Sequence, residues 1–296
     1  MKNVTQSPVV LLLVTGVLIG FNFPLGKIAG EAGISPVLWA MVVSIGVCVM
    51  LLPVLALKHR LAVPKGRMIR YVVISALISF VIPNILLFSV IPHAGSGFTG
   101  LIFSTSPVFT LALAALFRLK TPGWLGVFGI ATGLIGAAVV SITRGSAPEA
   151  PAAIWIVATA IIPVFLACGN IYRTMEWPDG ASPDVLAFWS HGFSVVVFIV
   201  ILLAAQGSVP FFELAREPKA ALAQAFVAGL MFPIYFRLQQ QGGPVLLSQI
   251  GYIAAAVGLV AATVFLGERY SAMTWTGAAV IAFGIAITIA AQMKKQ

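Results

Sequence analysis

The chain has 296 residues, 60% of them hydrophobic and only 8% charged, and its mean hydropathy is +1.07. A soluble domain carries about 25% charged residues, so this composition excludes a fold dispersed in water and makes lipid the solvent. The net charge of +9 does not point to nucleic acid, because the basic residues fall in short gaps between long apolar runs, as loops at a membrane face do.

A bilayer core of about 30 Å is crossed by roughly 20 apolar helical residues. The first such run, 8–29, is longer than the apolar core of a signal peptide and is followed by many like it, so it reads as a first span. Further spans are expected at 36–57, 69–91, 95–117 and 123–143, then at 152–173, 183–205, 220–239, 244–266 and 273–292. Breakers mark the gaps: Gly33–Ser35–Pro36, Pro64–Lys65–Gly66, Pro92–His93, Pro122–Gly123, Pro148–Glu149–Ala150–Pro151, Pro178–Asp179–Gly180 and Gln241–Gly242–Gly243–Pro244. Gly95, Gly97 and Gly100 blur the third boundary. The expected fold class is an all-α membrane protein of ten transmembrane helices.

Lysine and arginine asymmetry sets the orientation. With the N-terminus inside, the cytoplasmic gaps hold Lys2, Lys58, Arg60, Lys65, Arg67, Arg70, Arg118, Lys120, Arg173, Arg237, Lys294 and Lys295, against Lys27, Arg144, Arg216, Lys219 and Arg269 outside. Both termini are therefore expected in the cytoplasm. The halves repeat at an offset near 148 residues: Phe117 falls on Phe265, Gly129 on Gly277, Gly136 on Gly284 and Asn22 on Asn170. Ser35–Pro36 falls on Ser182–Pro183, and Pro83 on Pro233. Agreement on nearly one offset is the signal of an internal repeat. Five spans per half is an odd number, so repeats at 1–146 and 147–296 must lie inverted to each other, as in many secondary transporters.

Three stretches resemble the drug/metabolite transporter superfamily, specifically its EamA-type ten-helix exporters. They are Ser106–Pro107–Val108–Phe109–Thr110 through Leu116–Phe117, then Phe265–Leu266–Gly267–Glu268–Arg269, and Gly20–Phe21–Asn22–Phe23. Ile19 replaces the family's first-helix tryptophan, Lys120 stands where the first repeat often has glutamate, and no arginine lies early in the second span. The resemblance implies the ten-helix fold and export of small metabolites.

Idle polar groups are costly at membrane depth, so intramembrane polar residues are the candidate site. Asn22 and Asn170, related by the repeat, read either as cargo ligands facing one cavity or as interhelical glue. Pro83 and Pro233 each free a backbone carbonyl, and paired breaks in two halves point to a transport site, though a plain kink remains the other reading. Phe80, Asn84, Phe88, Phe103 and Tyr235 surround these breaks. Gln249 and Tyr252, at i and i+3, share a face, and glutamine has no cheap idle state in lipid. Thr99, Ser104, Thr105 and Ser106 read mostly as hydroxyls bonded to their own helix. Ser248 falls beside Gln249.

All eight carboxylates fall in loops or at span ends, and His191 alone is deep enough for a proton relay, with a hydrogen-bonded structural histidine the better reading. Proton coupling is therefore not expected. Cys48 and Cys168 read as small apolar packing. Glycines at 16 and 20, and at 126, 129, 133 and 136, make small faces for helix packing, with a homodimer face the lesser reading. No phosphate loop, metal-ligand set or nucleophile beside a base is present, so no cofactor and no enzyme activity is expected. The functional expectation is a transporter in a bacterial cytoplasmic membrane, exporting small metabolites, amino acids first and aromatic ones among them. A neutral polar and aromatic cavity suits a zwitterion. Uptake, export of drugs or other metabolites and, more distantly, intramembrane catalysis are the alternatives. The expected partners are a small-molecule substrate and lipid, not nucleic acid, with the chain a monomer or homodimer.

Overall fold

A computed structural model describes residues 7–61, 63–119, 121–145 and 152–293. Lys2, Lys120, Glu149, Lys294, Lys295 and the 148–151 breaker lie outside them. The described residues form thirteen α-helices: α1 (Pro8–Gly20), α2 (Asn22–Glu31), α3 (Pro36–Leu57), α4 (Arg67–Ser75), α5 (Ile82–Ala94), α6 (Ser96–Phe103), α7 (Ser106–Leu116), α8 (Trp124–Gly145), α9 (Ala153–Met175), α10 (Pro183–Gln206), α11 (Pro218–Ser248), α12 (Ile250–Leu266) and α13 (Ala272–Met293). A π-helical stretch, Ala76–Val81, joins α4 to α5. Seven continuous stretches are long and apolar enough to cross a bilayer: Pro8–Glu31, Pro36–Leu57, Arg67–Ala94, Ser96–Leu116, Ala153–Met175, Pro183–Gln206 and Pro218–Ser248. Three shorter apolar helices, Trp124–Val139, Ile250–Leu266 and Ala272–Thr288, accompany them. The protein is an all-α, membrane-spanning fold.

The helix ends follow local chemistry. Prolines occupy the first turns of α1, α3, α10 and α11, where a missing N–H costs nothing. Left-handed glycines at 207 and 267 stop α10 and α12. The boundary between the third and fourth spans falls at Gly95, whose φ of 89° is readily held only by glycine. The eighth and ninth spans meet at Gly243, one of the expected breakers, whose φ of 70° and ψ of −176° are non-helical; helix runs up to it from Pro218 and on from Pro244 to Ser248.

Backbone positions with positive φ recur at spacings of 147–149 residues: Gly33 with Gly180, His59 with Gly207, Gly95 with Gly243, and Arg118 with Gly267. Packing is reciprocal in the same sense. A side chain at Gly136 would lie 2.6 Å from the Gly277 carbonyl, and one at Gly284 would lie 2.6 Å from the Gly129 carbonyl. Helices α8 and α13 therefore touch backbone to backbone, and the glycines at 129, 133 and 136 are used within the chain. Gly16 and Gly20 likewise seat Ile253 and Val257 of α12.

Candidate functional site

Broken helices converge on the centre of the bundle. Helix α1 gives way to α2 at Phe21, α6 to α7 at Ser104–Thr105, and α11 to α12 at Gln249, while the π-helical stretch precedes Pro83. Each irregularity turns polar backbone and short side chains inward, where irregular structure inside a membrane is tolerated because it lines a cavity. The cavity between them is walled by the rings of Phe23, Phe80, Phe103, Phe232 and Tyr235 and by polar groups from Asn22, Ser79, Asn84, Asn170, Ser106 and Ser248. Its volume is about 40 Å³, the scale of a few ordered waters.

Seven of the expected site residues meet on this wall: Asn22, Phe80, Pro83, Asn84, Phe103, Asn170 and Tyr235. Three do not. Pro233 lies inside α11 where the backbone stays helical, before the break at Gly243, and does not line the cavity. Tyr252 turns away, donating a hydrogen bond to the Ile130 carbonyl of α8 at 3.1 Å and packing where a Gly133 side chain would be. Gln249 is buried behind the wall with neither amide atom hydrogen-bonded among the described residues. The backbone stays right-handed at Gln249 and the Tyr252 N–H bonds the Gln249 carbonyl at 3.1 Å, yet neither side chain lines the cavity. Phe88 packs against Gly26 of α2.

The two asparagines differ in their partners. Asn22 accepts a 2.6 Å hydrogen bond from Gln224 of α11. Asn170 belongs to a larger network centred on Arg173, three residues on along α9. Arg173 is 1% exposed and so is not the loop cation that its place near a span end suggests. Its Nη2 donates to Asn170 Oδ1 at 2.8 Å and to Gln239 Oε1 at 3.1 Å, its Nε donates to Gln239 at 3.2 Å, and Nη2 also bonds the Tyr235 hydroxyl. The guanidinium lies 5.4, 5.1 and 6.0 Å from the rings of Phe80, Tyr235 and Phe236, within cation–π range. A polar run after Cys168, with Asn170 and Arg173 at i and i+3, was the available signal.

His191 is fully buried, its Nδ1 3.1 Å from Ser44 Oγ and its ring against Phe80 and Phe232. It stands behind the aromatic wall as a hydrogen-bonded core histidine.

The two ends of the bundle differ. A vestibule of about 460 Å³ opens beside Pro8, Leu119, Thr121, Pro122, Thr174 and residues 240–246. Gln239 joins the two spaces, its Nε2 donating to the Asn170 carbonyl at 3.0 Å and to Thr174 Oγ1 at 2.6 Å. The opposite end is tied shut. Glu268 accepts from Lys27 at 2.5 Å, from Ser96 at 2.9 Å and from Tyr270. Arg216 bonds the carbonyls of Ala32 and Gly33, and Glu213 accepts from the Ser35 N–H at 2.7 Å. Burial raises the Glu268 pKa, but the hydrogen bonds from Lys27 and Tyr270 and the lysine's charge outweigh it, and the carboxyl is held below its ordinary value.

This is a polytopic membrane protein whose broken helices enclose a polar and aromatic cavity between a tied end and an open one. Residues 6–142 match the EamA-like transporter family. A "Probable terminal-alkyne amino-acid exporter" of Streptantibioticus cattleyicolor is 26% identical over 204 residues, covering 65% of this chain and 64% of that protein. The "Uncharacterized inner membrane transporter YedA" of Escherichia coli K12 is 25% identical over 193 residues, 65% of this chain and 61% of the relative. The matched region thus spans less than two thirds of either relative. The fold is shared, at TM-score 0.70 and 18% identity, with a solved structure described only as "Crystal structure of protein", over 96% of this chain and 97% of the other.

Proposed function

We propose that the chain is a secondary transporter that exports small organic metabolites, amino acids first and aromatic ones among them, across a bacterial cytoplasmic membrane. Its ten spans form two five-helix repeats, 1–146 and 147–296, of opposite orientation, with both termini cytoplasmic. The carrying observation is a central polar and aromatic cavity in a bundle tied shut at one end, with a vestibule at the other. That is the layout alternating access requires, with the site at the repeat interface. The recurrence of left-handed positions supports the repeat. So does the crossed contact of Gly129 with Gly284 and Gly136 with Gly277, because a two-fold axis makes residue i touch j′ and j touch i′. Between antiparallel helices that axis lies in the membrane plane.

The cargo reading rests on the five aromatic rings beside three asparagines, a wall fit for an apolar side chain and a polar backbone, and on the name of the Streptantibioticus relative. The test is counterflow in proteoliposomes with a radiolabelled panel of amino acids, other organic acids, amines and neutral drugs. Saturable flux of amino acids is expected, and a panel without any flux refutes the transporter reading.

A further inference from the structure

Arg173 presents an electrostatic problem that the protein does not solve. A buried cation in a membrane protein costs several kcal/mol unless an anion faces it. Every described hydrogen-bond partner of this guanidinium (Asn170, Gln239 and Tyr235) is neutral. Among the described residues no carboxylate lies within ion-pair distance of it, while Lys27, Arg67, Arg70 and Arg237 all have one. The three rings around it soften the cost without cancelling the charge.

One guanidinium nitrogen is left over. Nη1 has no hydrogen-bond partner among the described residues, and neither has Ser79 Oγ, a group on the cavity wall that is also buried. Both converge on Gly169: the point a side chain there would occupy is 3.2 Å from Nη1 and 2.2 Å from Ser79 Oγ. Glycine at 169, one residue from Asn170 on the wall, lets the Ser79 hydroxyl lie against the α9 backbone beside Nη1. A guanidinium N–H beside a hydroxyl is a donor pair suited to a carboxylate oxygen.

We propose that the cargo bears a carboxylate, and that Arg173 is its counter-ion, with Arg173 Nη1 and Ser79 Oγ as the donors that receive it. The inference rests on the transport reading above and narrows it from small metabolites to organic acids, zwitterionic amino acids included. The empty protein holds Arg173 with neutral acceptors, so arrival of an anion is favoured without first breaking an internal ion pair. Because Gln239 also bonds Thr174 on the vestibule, the same network stands between vestibule and cavity, where incoming cargo passes.

The test compares matched sets in proteoliposome counterflow: each L-amino acid and simple monocarboxylate against its carboxamide and its decarboxylated counterpart. Acids are expected to move and to compete, with amides and amines at least about tenfold weaker, the loss of one charge-assisted hydrogen-bonded contact. Amides moving as fast as acids overturn the carboxylate inference and leave transport standing, whereas no flux from any compound sinks the transport reading itself. Two variants locate the receptor. Arg173→Gln is expected to lose acid flux at least about tenfold, and Arg173→Lys to recover part of it. If Arg173→Gln fails to fold, Gly169→Ala decides, because its methyl group would fall 2.2 Å from Ser79 Oγ and 3.2 Å from Nη1 and must displace that donor pair. A folded Gly169→Ala protein with wild-type acid flux and affinity overturns the assignment.

Discussion

Glu268 gathers the tied end of the bundle. Gly267, in the left-handed region, turns the chain out of α12 so that the carboxyl faces Lys27 of α2, Ser96 of α6 and the nearby Tyr270. Its folded pKa lies below the ordinary value of 4.5. The stabilisation it supplies is therefore complete above that value and is lost as pH falls through the lower folded pKa. In detergent the melting temperature of the wild type is expected to drop below pH 4.5. Glu268→Gln should start from a lower melting temperature at pH 7 and show a shallower acid dependence. Equal acid dependence in the two proteins refutes the assignment. The same variant loosens the tie between ends of helices that must separate for cargo to leave, so its flux should change more than that of Glu31→Gln, whose contact with Lys27 is 3.7 Å and exposed.

At the scale of elements, α8 and α13 pack so closely that their glycines define the contact. A methyl group on Gly284 would sit 2.6 Å from the Gly129 carbonyl and 2.6 Å from the Gly133 N–H, both backbone atoms that cannot swing aside. Gly284→Ala is expected to destabilise by about 1–3 kcal/mol, as forced overpacking does. At Gly192 of α10 the nearest atom is Cys48 Sγ at 4.0 Å, so Gly192→Ala should leave the melting temperature unchanged. Comparing the two by thermal melting in detergent separates a packing requirement from a general intolerance of substitution.

At the scale of the whole molecule, the proposed inverted arrangement makes a directional prediction. With Cys48 and Cys168 replaced, a cysteine at position 65 and one at position 208 should react from opposite sides of the membrane, 65 from the cytoplasm. Labelling of both from one side refutes the proposed topology. Coupling belongs to this scale as well. No acidic or histidine side chain lines the central cavity among the described residues, Arg173 keeps its proton at all working pH values, and His191 is walled off by Phe80 and Phe232. Transport is expected to equilibrate cargo without concentrating it. Accumulation across proteoliposomes under a pH gradient, lost when the gradient is collapsed, refutes this expectation.

Lipid as solvent, the helical class and most span boundaries were legible because they depend on local quantities: run lengths of apolar residues, prolines at helix starts and glycines at stops. The meeting of Asn22 and Asn170 on one cavity was legible too, through the offset that relates them. Pro233, Gln249 and Tyr252 do not line that cavity, because packing decides which face of a helix meets it: Tyr252 is held against α8, and the break in α11 falls at Gly243, not at Pro233. Arg173 was hidden more deeply. From sequence, a cation near a span end is indistinguishable from a loop anchor, since a long side chain reaches water or the interior with equal ease. Only the packing of α9 against α11 turned it inward, where Gln239 and Tyr235, more than sixty residues away in the chain, supply its hydrogen bonds. Apolar pattern determines which segments enter the bilayer, whereas the direction of a single charged side chain is set by neighbours that only the tertiary fold brings to it.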